Sequence, residues 1–167
     1  MNDNLSKKVE WKITKFRDKQ NWLENKFYEV LIFDGNLCLN CGINLLWKIF
    51  AGDKPESDNY FNNANSYLGV GNSDDGAVVT QTELQGEMTK FKVMDVGYPT
   101  KGTDQKIVFK STFDTDDANF DWEEFGVANF DTNVSGQTGT LFNRKVESKG
   151  TKNEGEVWEL QLTITLS

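Results

Sequence analysis

Six carboxylates lie close together in the last third of the sequence: Asp114, Asp116, Asp117, Asp121, Glu123 and Glu124. An EF-hand calcium loop that begins at Asp114 would need glycine at its sixth position and glutamate at its twelfth, where this sequence has Asn119 and Phe125. A glycosidase needs two carboxylates on opposite sides of a groove. Asp121 and Glu123 could share a strand face as such a pair, but their spacing fits a solvated strand edge equally well. An irregular calcium site and a hydrolase are therefore alternatives. The pattern favours an acidic, solvent-facing surface without metal, cofactor or catalytic residue.

Other residues that commonly carry chemistry are few. Cys38 and Cys41 form one C-x-x-C motif, which cannot close a tetrahedral zinc site alone, and we expect two small, partly buried residues rather than a redox pair. The chain has no histidine, which excludes Ser-His-Asp and Cys-His nucleophiles. Its net charge of −8 makes it a poor partner for nucleic acid or an anionic membrane. We expect a protein that is not an enzyme.

Short alternating segments separated by turn signals predict the fold. In the clearest of them, from Trp158 to Leu166, every second residue is apolar. This spacing predicts an antiparallel β-sandwich of roughly eight strands, with jelly-roll or immunoglobulin-like topology. The 167 residues suit one domain, 1–167. Residues 1–7 are polar and expected to be flexible, and they lack the apolar run of a signal peptide.

One α-helix is predicted near residues 41–51. Four apolar residues recur there at i, i+3, i+4 and i+7: Ile43, Leu46, Trp47 and Phe50. We expect this stripe to pack against the sandwich. A helix that binds a partner is the alternative, because Trp47 is large for a lone surface helix.

In the stretch from Asp117 to Phe130, the alternation of apolar and polar residues changes phase near the middle. Phe120 and Trp122 share one strand face, and Phe125 and Val127 share the opposite one. An irregular backbone, as in a β-bulge, near residues 123–124 would bring all four onto one face. We therefore predict that all four are buried, with the Glu123–Glu124 carboxylate pair outside.

Eight residues are candidates for the core or for an interface: Trp22, Phe27, Leu31, Phe33, Trp47, Trp122, Phe125 and Arg144. Periodicity favours a core position for Trp47, Trp122 and Trp158, whereas Trp22 stands in a polar turn and is expected to be exposed or interfacial. Arg144 is expected to face the acidic stretch, either within the chain or across a subunit interface.

The segment from Phe27 to Phe33 is apolar on both faces, although an antiparallel sandwich strand normally has one polar face. Either the helix near 41–51 or a neighbouring subunit must cover the second face. This pattern favours a homo-oligomer.

Two motifs near the C-terminus resemble those of a group of tailed-bacteriophage virion proteins. Residues 119–129 read NFDWEEFGVAN and residues 141–147 read LFNRKVE, where members of the group read roughly anFaWnEwgvfn and lNRKve. Residues 62–72 and 80–86 also fit, so that the similarity spans about residues 35–167.

The resemblance implies a non-enzymatic structural component of the virion, made in the host cytoplasm. We expect an accessory or decoration protein on the head, in contact with the major capsid protein or other virion proteins; a tail, collar or fibre-attachment protein is the alternative. A trimer is favoured by analogy with the threefold positions of icosahedral shells. A carbohydrate-binding sandwich used in host adhesion is a further alternative, and it requires exposed aromatic rings beside Asp or Asn in one groove.

Overall fold

The computed structural model describes residues 6–52, 61–129 and 139–167. Within these ranges the elements, in chain order, are β1 Lys7–Phe16, α1 Lys19–Leu23, β2 Glu29–Asp34, β3 Leu37–Cys38, α2 Asn40–Phe50, β4 Ser66–Gly71, β5 Thr89–Val93, β6 Thr100–Thr103, β7 Lys106–Phe113, β8 Glu124–Asn129, β9 Thr140–Leu141, β10 Asn143–Val146 and β11 Val157–Leu166.

The strands form two antiparallel sheets. The first has the order β2-β1-β11-β7-β6, and the second has the order β3-β10-β8-β4-β5, with β9 paired to β8. The sheets pack face to face through one apolar core. The predicted β-sandwich is therefore confirmed.

Alternation builds the first sheet. β1 and β11 pair over their whole length, with Trp11 opposite Leu162 and Ile13 opposite Leu160. All four side chains are buried, and the residues between them face outward. A shift of one residue in this register would turn every apolar side chain to the outer face, so the pattern fixes the pairing.

Aromatic rings join the two sheets. The centroids of the Phe33 and Phe125 rings lie 5.2 Å apart, and the Trp122 ring lies 4.8 Å from Trp158 and 4.9 Å from Phe113. Edge-to-face contacts of this kind add to the stability that burial gives. Trp122, Trp158 and Phe125 occupy the core positions expected of them.

The alternation of apolar residues changes phase after Asp117, and an irregular stretch of backbone accommodates this change. Asp121 forms an isolated bridge with Thr151, and the regular ladder of β8 begins only at Glu124. Trp122, Phe125 and Val127 are fully buried, and Phe120 packs partly buried on the same core. Phe130 lies outside the described residues.

The expectation that the carboxylate pair lies outside is wrong for Glu124, which is fully buried, whereas Glu123 is half-buried. The cause is a long-range ion pair, described below.

Two further details differ from expectation. The polar turn after β1 contains a second helix, α1, which begins where Asp18 accepts a hydrogen bond from Asn21 N–H at 2.7 Å. Lys7 already belongs to β1, and Ser6 exchanges backbone hydrogen bonds with Ser167, so residues 6–7 are paired. Residues 1–5 lie outside the described part of the chain.

Candidate interaction surfaces

A buried ion pair connects β8 and β10. Arg144 Nε donates to Glu124 Oε2 at 2.6 Å, and neither side chain reaches solvent. The pair lies within one chain, which settles the two alternatives left open for Arg144. Hydrogen bonds to the other polar atoms of such a pair offset part of the cost of its burial, and here they reach all of these atoms except Arg144 Nη2.

Those remaining bonds reach a long loop, residues 72–88. Gln85 N–H and Gly86 N–H donate to the Glu124 carboxylate at 3.0 and 2.7 Å. Arg144 Nη1 donates to Asp75 O at 2.8 Å. The ion pair therefore holds the loop near both of its ends.

Glycine is required at two positions around this carboxylate. A Cβ added at Gly71 would overlap Glu124 Oε1, and one at Gly86 would overlap Asn72 and lie 3.0 Å from the same carboxylate oxygen. Only glycine lets the backbone approach so closely. These two glycines, together with Arg144, make room for a buried carboxylate.

The loop in turn positions α2. Asn40 N–H donates to Val79 O at 2.9 Å, and Cys41 Sγ donates to Leu141 O at 3.2 Å. Gly42 is buried against the backbone of Phe142, where a Cβ would overlap main-chain atoms. The N-terminal half of α2 is thus fixed to the loop and to Leu141 and Phe142, where β9 ends and β10 begins.

The face of α2 that packs is not the predicted one. Gly42 and Leu45 are buried, whereas the stripe of apolar residues faces solvent: Ile43, Leu46, Trp47 and Phe50. Trp47 is 60% exposed and Phe50 81% exposed. The expectation that this stripe packs against the sandwich is wrong, because Leu45, on the other face of the helix, makes that contact. We call the four exposed residues the α2 surface.

An apolar cavity of about 140 Å³ adjoins the α2 surface. Leu46 lines it from the helix, together with residues of β7, of β11 and of two segments outside the strands: Phe61, Ile107, Phe109, Phe142, Ile164 and Leu166. The α2 surface therefore continues into a groove without polar lining.

The second apolar surface lies on β2. Phe33 is buried and Leu31 half-buried on the core side, whereas Val30 and Ile32 are exposed on the other side. Phe27, just before the strand, is 54% exposed. Among the described residues, α2 packs chiefly on β9 and does not cover this strand.

The acidic cluster is paired with lysines. Asp114 Oδ2 accepts from Lys19 Nζ at 2.5 Å, and this bond lowers the pKa of Asp114. Burial acts to raise the pKa of Asp117, but its contacts with Lys92 and Lys90 outweigh burial, so that this pKa also lies below its ordinary value. These carboxylates are thus engaged as charged partners of lysines, and among the described residues no group of three or more metal-ligating side chains comes together.

Lys152 is a buried cation that the sequence did not single out. Its Nζ donates to Asp114 O at 2.8 Å and to Asn119 Oδ1 at 2.7 Å. Burial lowers the pKa of Lys152 to about 8, against the opposing influence of nearby carboxylates such as Asp117 and Glu156. The ammonium holds together the loop between β7 and the start of the irregular stretch.

Trp22 lines an open pocket of about 460 Å³ together with Asp95 and Asp114. The half-buried ring donates through Nε1 to Glu159 at 2.9 Å, and Lys19 Nζ lies 4.2 Å from the ring centroid. A lysine therefore covers one face of the ring. Cys38 and Cys41 are both free and half-buried.

No known protein family, curated protein or solved structure matches this chain. In the described part of the chain no helix is long and apolar enough to span a membrane.

Proposed function

We propose that this protein is a non-enzymatic structural component of a tailed-bacteriophage virion, and that it is an accessory protein on the head. The two C-terminal motifs support membership in such a particle. The observation that carries the proposal is the α2 surface, which is exposed on a helix whose N-terminal half is fixed to the sandwich.

The α2 surface has the properties of a protein-binding site. Large exposed apolar patches on a folded domain mark interaction sites, and tryptophan is enriched among the residues that dominate binding energy. The Trp47 and Phe50 rings contact each other edge to face, with centroids 5.9 Å apart. A preformed aromatic pair loses little conformational freedom on binding, which favours affinity. We assign this surface to the shell protein that carries the accessory protein.

The other groups that suggested chemistry favour a structural role. Glu124 and Arg144 pair with each other, and Asp114 and Asp117 pair with lysines. Such pairing stabilises loops and does not leave a carboxylate poised to exchange protons with a substrate. A tail or collar position is the alternative within the same class of protein.

Binding to particles tests the proposal. Purified protein is added to head shells that lack it, and the bound fraction is measured after sedimentation. We expect wild-type protein to bind and the double variant Trp47→Ser/Phe50→Ser to lose at least about tenfold in affinity. Val96→Ser removes an exposed apolar side chain that does not belong to the α2 surface and should bind as wild type. Equal binding of all three proteins would remove the α2 surface from the proposal.

A further inference from the structure

β2 has an open backbone edge. It is the outermost strand of its sheet, with only β1 beside it among the described residues. Gly35 N–H donates to Val9 O at 3.0 Å, so the backbone groups of Gly35 point toward β1. In the β1–β2 register every second residue of β2 is oriented in the same way, and Leu31 is one of these residues. Alternate residues of an antiparallel strand direct their N–H and C=O groups to opposite sides. Val30 and Ile32 therefore direct theirs outward, away from β1.

The side chains of the same two residues are apolar and exposed. Val30 is 37% exposed and Ile32 63% exposed, on the face of the sheet away from the core. An edge strand with free backbone groups and exposed aliphatic side chains is a template for another strand.

Lysines protect two other edges of the sandwich, and β2 has none. β5 has Lys90 and Lys92, and β6 has Lys101, whereas the charges of β2 are the carboxylates at its two ends, Glu29 and Asp34. Lysine on an edge strand discourages pairing because the incoming strand would have to desolvate its charge. The middle of β2 is thus an edge segment without a charge that opposes pairing.

We propose that β2 pairs with β2 of a second copy of this chain, antiparallel, about a two-fold axis that passes through Leu31. Val30 then lies opposite Ile32 of the partner subunit, and Ile32 lies opposite Val30 of the partner subunit. The outward backbone groups of these residues form about four hydrogen bonds across the axis. The two five-stranded sheets become one continuous sheet.

The side chains on the outer face of the sheet favour this register over its neighbour. An axis through Ile32 would set Val30 opposite Asp34 of the partner subunit, an apolar group against a carboxylate. An axis through Leu31 sets aliphatic on aliphatic twice on this face, which is the favourable cross-strand arrangement. On the core side it sets Phe33 opposite Glu29 of the partner subunit, a carboxylate that is already paired with Lys15 Nζ at 2.8 Å. A two-fold contact of this kind is complete with two copies of the chain, so it gives a dimer. The analogy with the threefold positions of icosahedral shells favours a trimer instead. The biological role of the dimer rests on the proposed assembly function, but its geometry does not.

Sedimentation equilibrium at micromolar concentration gives the first test. We expect wild-type protein to be a dimer and Ile32→Lys to be a monomer with an unchanged circular dichroism spectrum. Val96→Lys, which places the same charge on an exposed apolar site away from β2, should remain a dimer. A monomeric wild-type protein, a trimer, or a dimer that survives Ile32→Lys would overturn the proposal. A monomer that still binds head shells would leave the proposed function intact.

Disulfide formation tests the register of the proposed pairing between the two β2 strands. Single cysteines are placed at Val30, Leu31 or Ile32 in a Cys38→Ser/Cys41→Ser background and oxidised. In the proposed dimer only Leu31 lies opposite the same residue of the partner subunit. The two Leu31 residues form a non-hydrogen-bonded pair, whose Cα atoms are about 4.5 Å apart, and a disulfide can bridge this distance. We expect covalent dimers from Leu31→Cys alone. Crosslinking of Ile32→Cys instead would move the axis and contradict the register, and no crosslink at any of the three would contradict the pairing.

Discussion

Arg144 Nε lies 2.6 Å from Glu124 Oε2, and the two side chains have no exposed surface. The pair lies beneath the loop of residues 72–88, whose backbone supplies further hydrogen bonds to both partners. Since that loop also bonds to the first residue of α2 through Val79 O, the ion pair helps to fix the helix that carries the α2 surface.

Loss of one partner of this pair should destabilise the fold strongly. We expect Arg144→Met to lower the free energy of unfolding by about 3–5 kcal/mol, because it leaves Glu124 buried and without its counter-charge. Lys145→Met, at the next position of β10, breaks only the partly exposed contact with Glu147 and should cost less than about 1 kcal/mol. Urea denaturation of both variants measures the difference, and equal costs would contradict the role assigned to the pair.

Adjacent leucines of α2 should behave differently. Leu45 is 6% exposed and Leu46 42% exposed. We expect Leu45→Ala to cost about 2–5 kcal/mol of stability through the cavity that it leaves, and Leu46→Ala to cost clearly less. Thermal unfolding of the two variants checks which face of the helix packs. A larger loss from Leu46→Ala would mean that the predicted stripe packs after all.

Trp122 and Trp47 should also differ in how much they contribute to stability. Trp122→Ala removes a fully buried ring from contacts with Phe113 and Trp158 and should cost about 3–5 kcal/mol. Trp47→Ala removes an exposed ring and should leave stability nearly unchanged while reducing binding to shells. Denaturant titrations of the two variants give the comparison, and a stable Trp122→Ala protein would be incompatible with the core described above.

Lys152 should make stability depend on pH in the alkaline range. Its pKa is about 8 in the folded protein and near 10.5 when unfolded. Between these values the unfolded chain binds more protons, so this group makes the free energy of unfolding rise with pH, by at most about 1.4 kcal/mol per unit. Below pH 8 both states are protonated and the contribution is constant. Denaturation of wild type and Lys152→Met from pH 7 to pH 10 isolates the contribution, and parallel curves for the two proteins would contradict it.

Local alternation was sufficient to predict most strands but not the exposed face of α2. β11 has one apolar and one polar face, so its buried side is evident from the sequence. α2 has apolar residues on two sides, Leu45 on one and Trp47 on the other, so periodicity could not decide which side packs. The decision comes from the backbone of Phe142, which meets Gly42 from far along the chain.

The buried carboxylate was beyond the reach of local pattern for a similar reason. Glu124 stands beside Glu123 in a stretch that is typical of a solvated edge. Its burial depends on Arg144, 20 residues later, and on Gln85, 39 residues earlier. The α1 helix was missed because it has only five residues, and its one clear signal is the cap at Asp18, just before the helix.

We propose above that the protein is a structural part of the virion head, and electron microscopy of gold-labelled virions tests this place in the particle. An antibody raised against the purified protein is applied to purified virions of the phage that encodes it. We expect label over the head shell. Label confined to the tail would contradict the head assignment, and virions that carry no label and contain none of the protein would contradict the structural role itself.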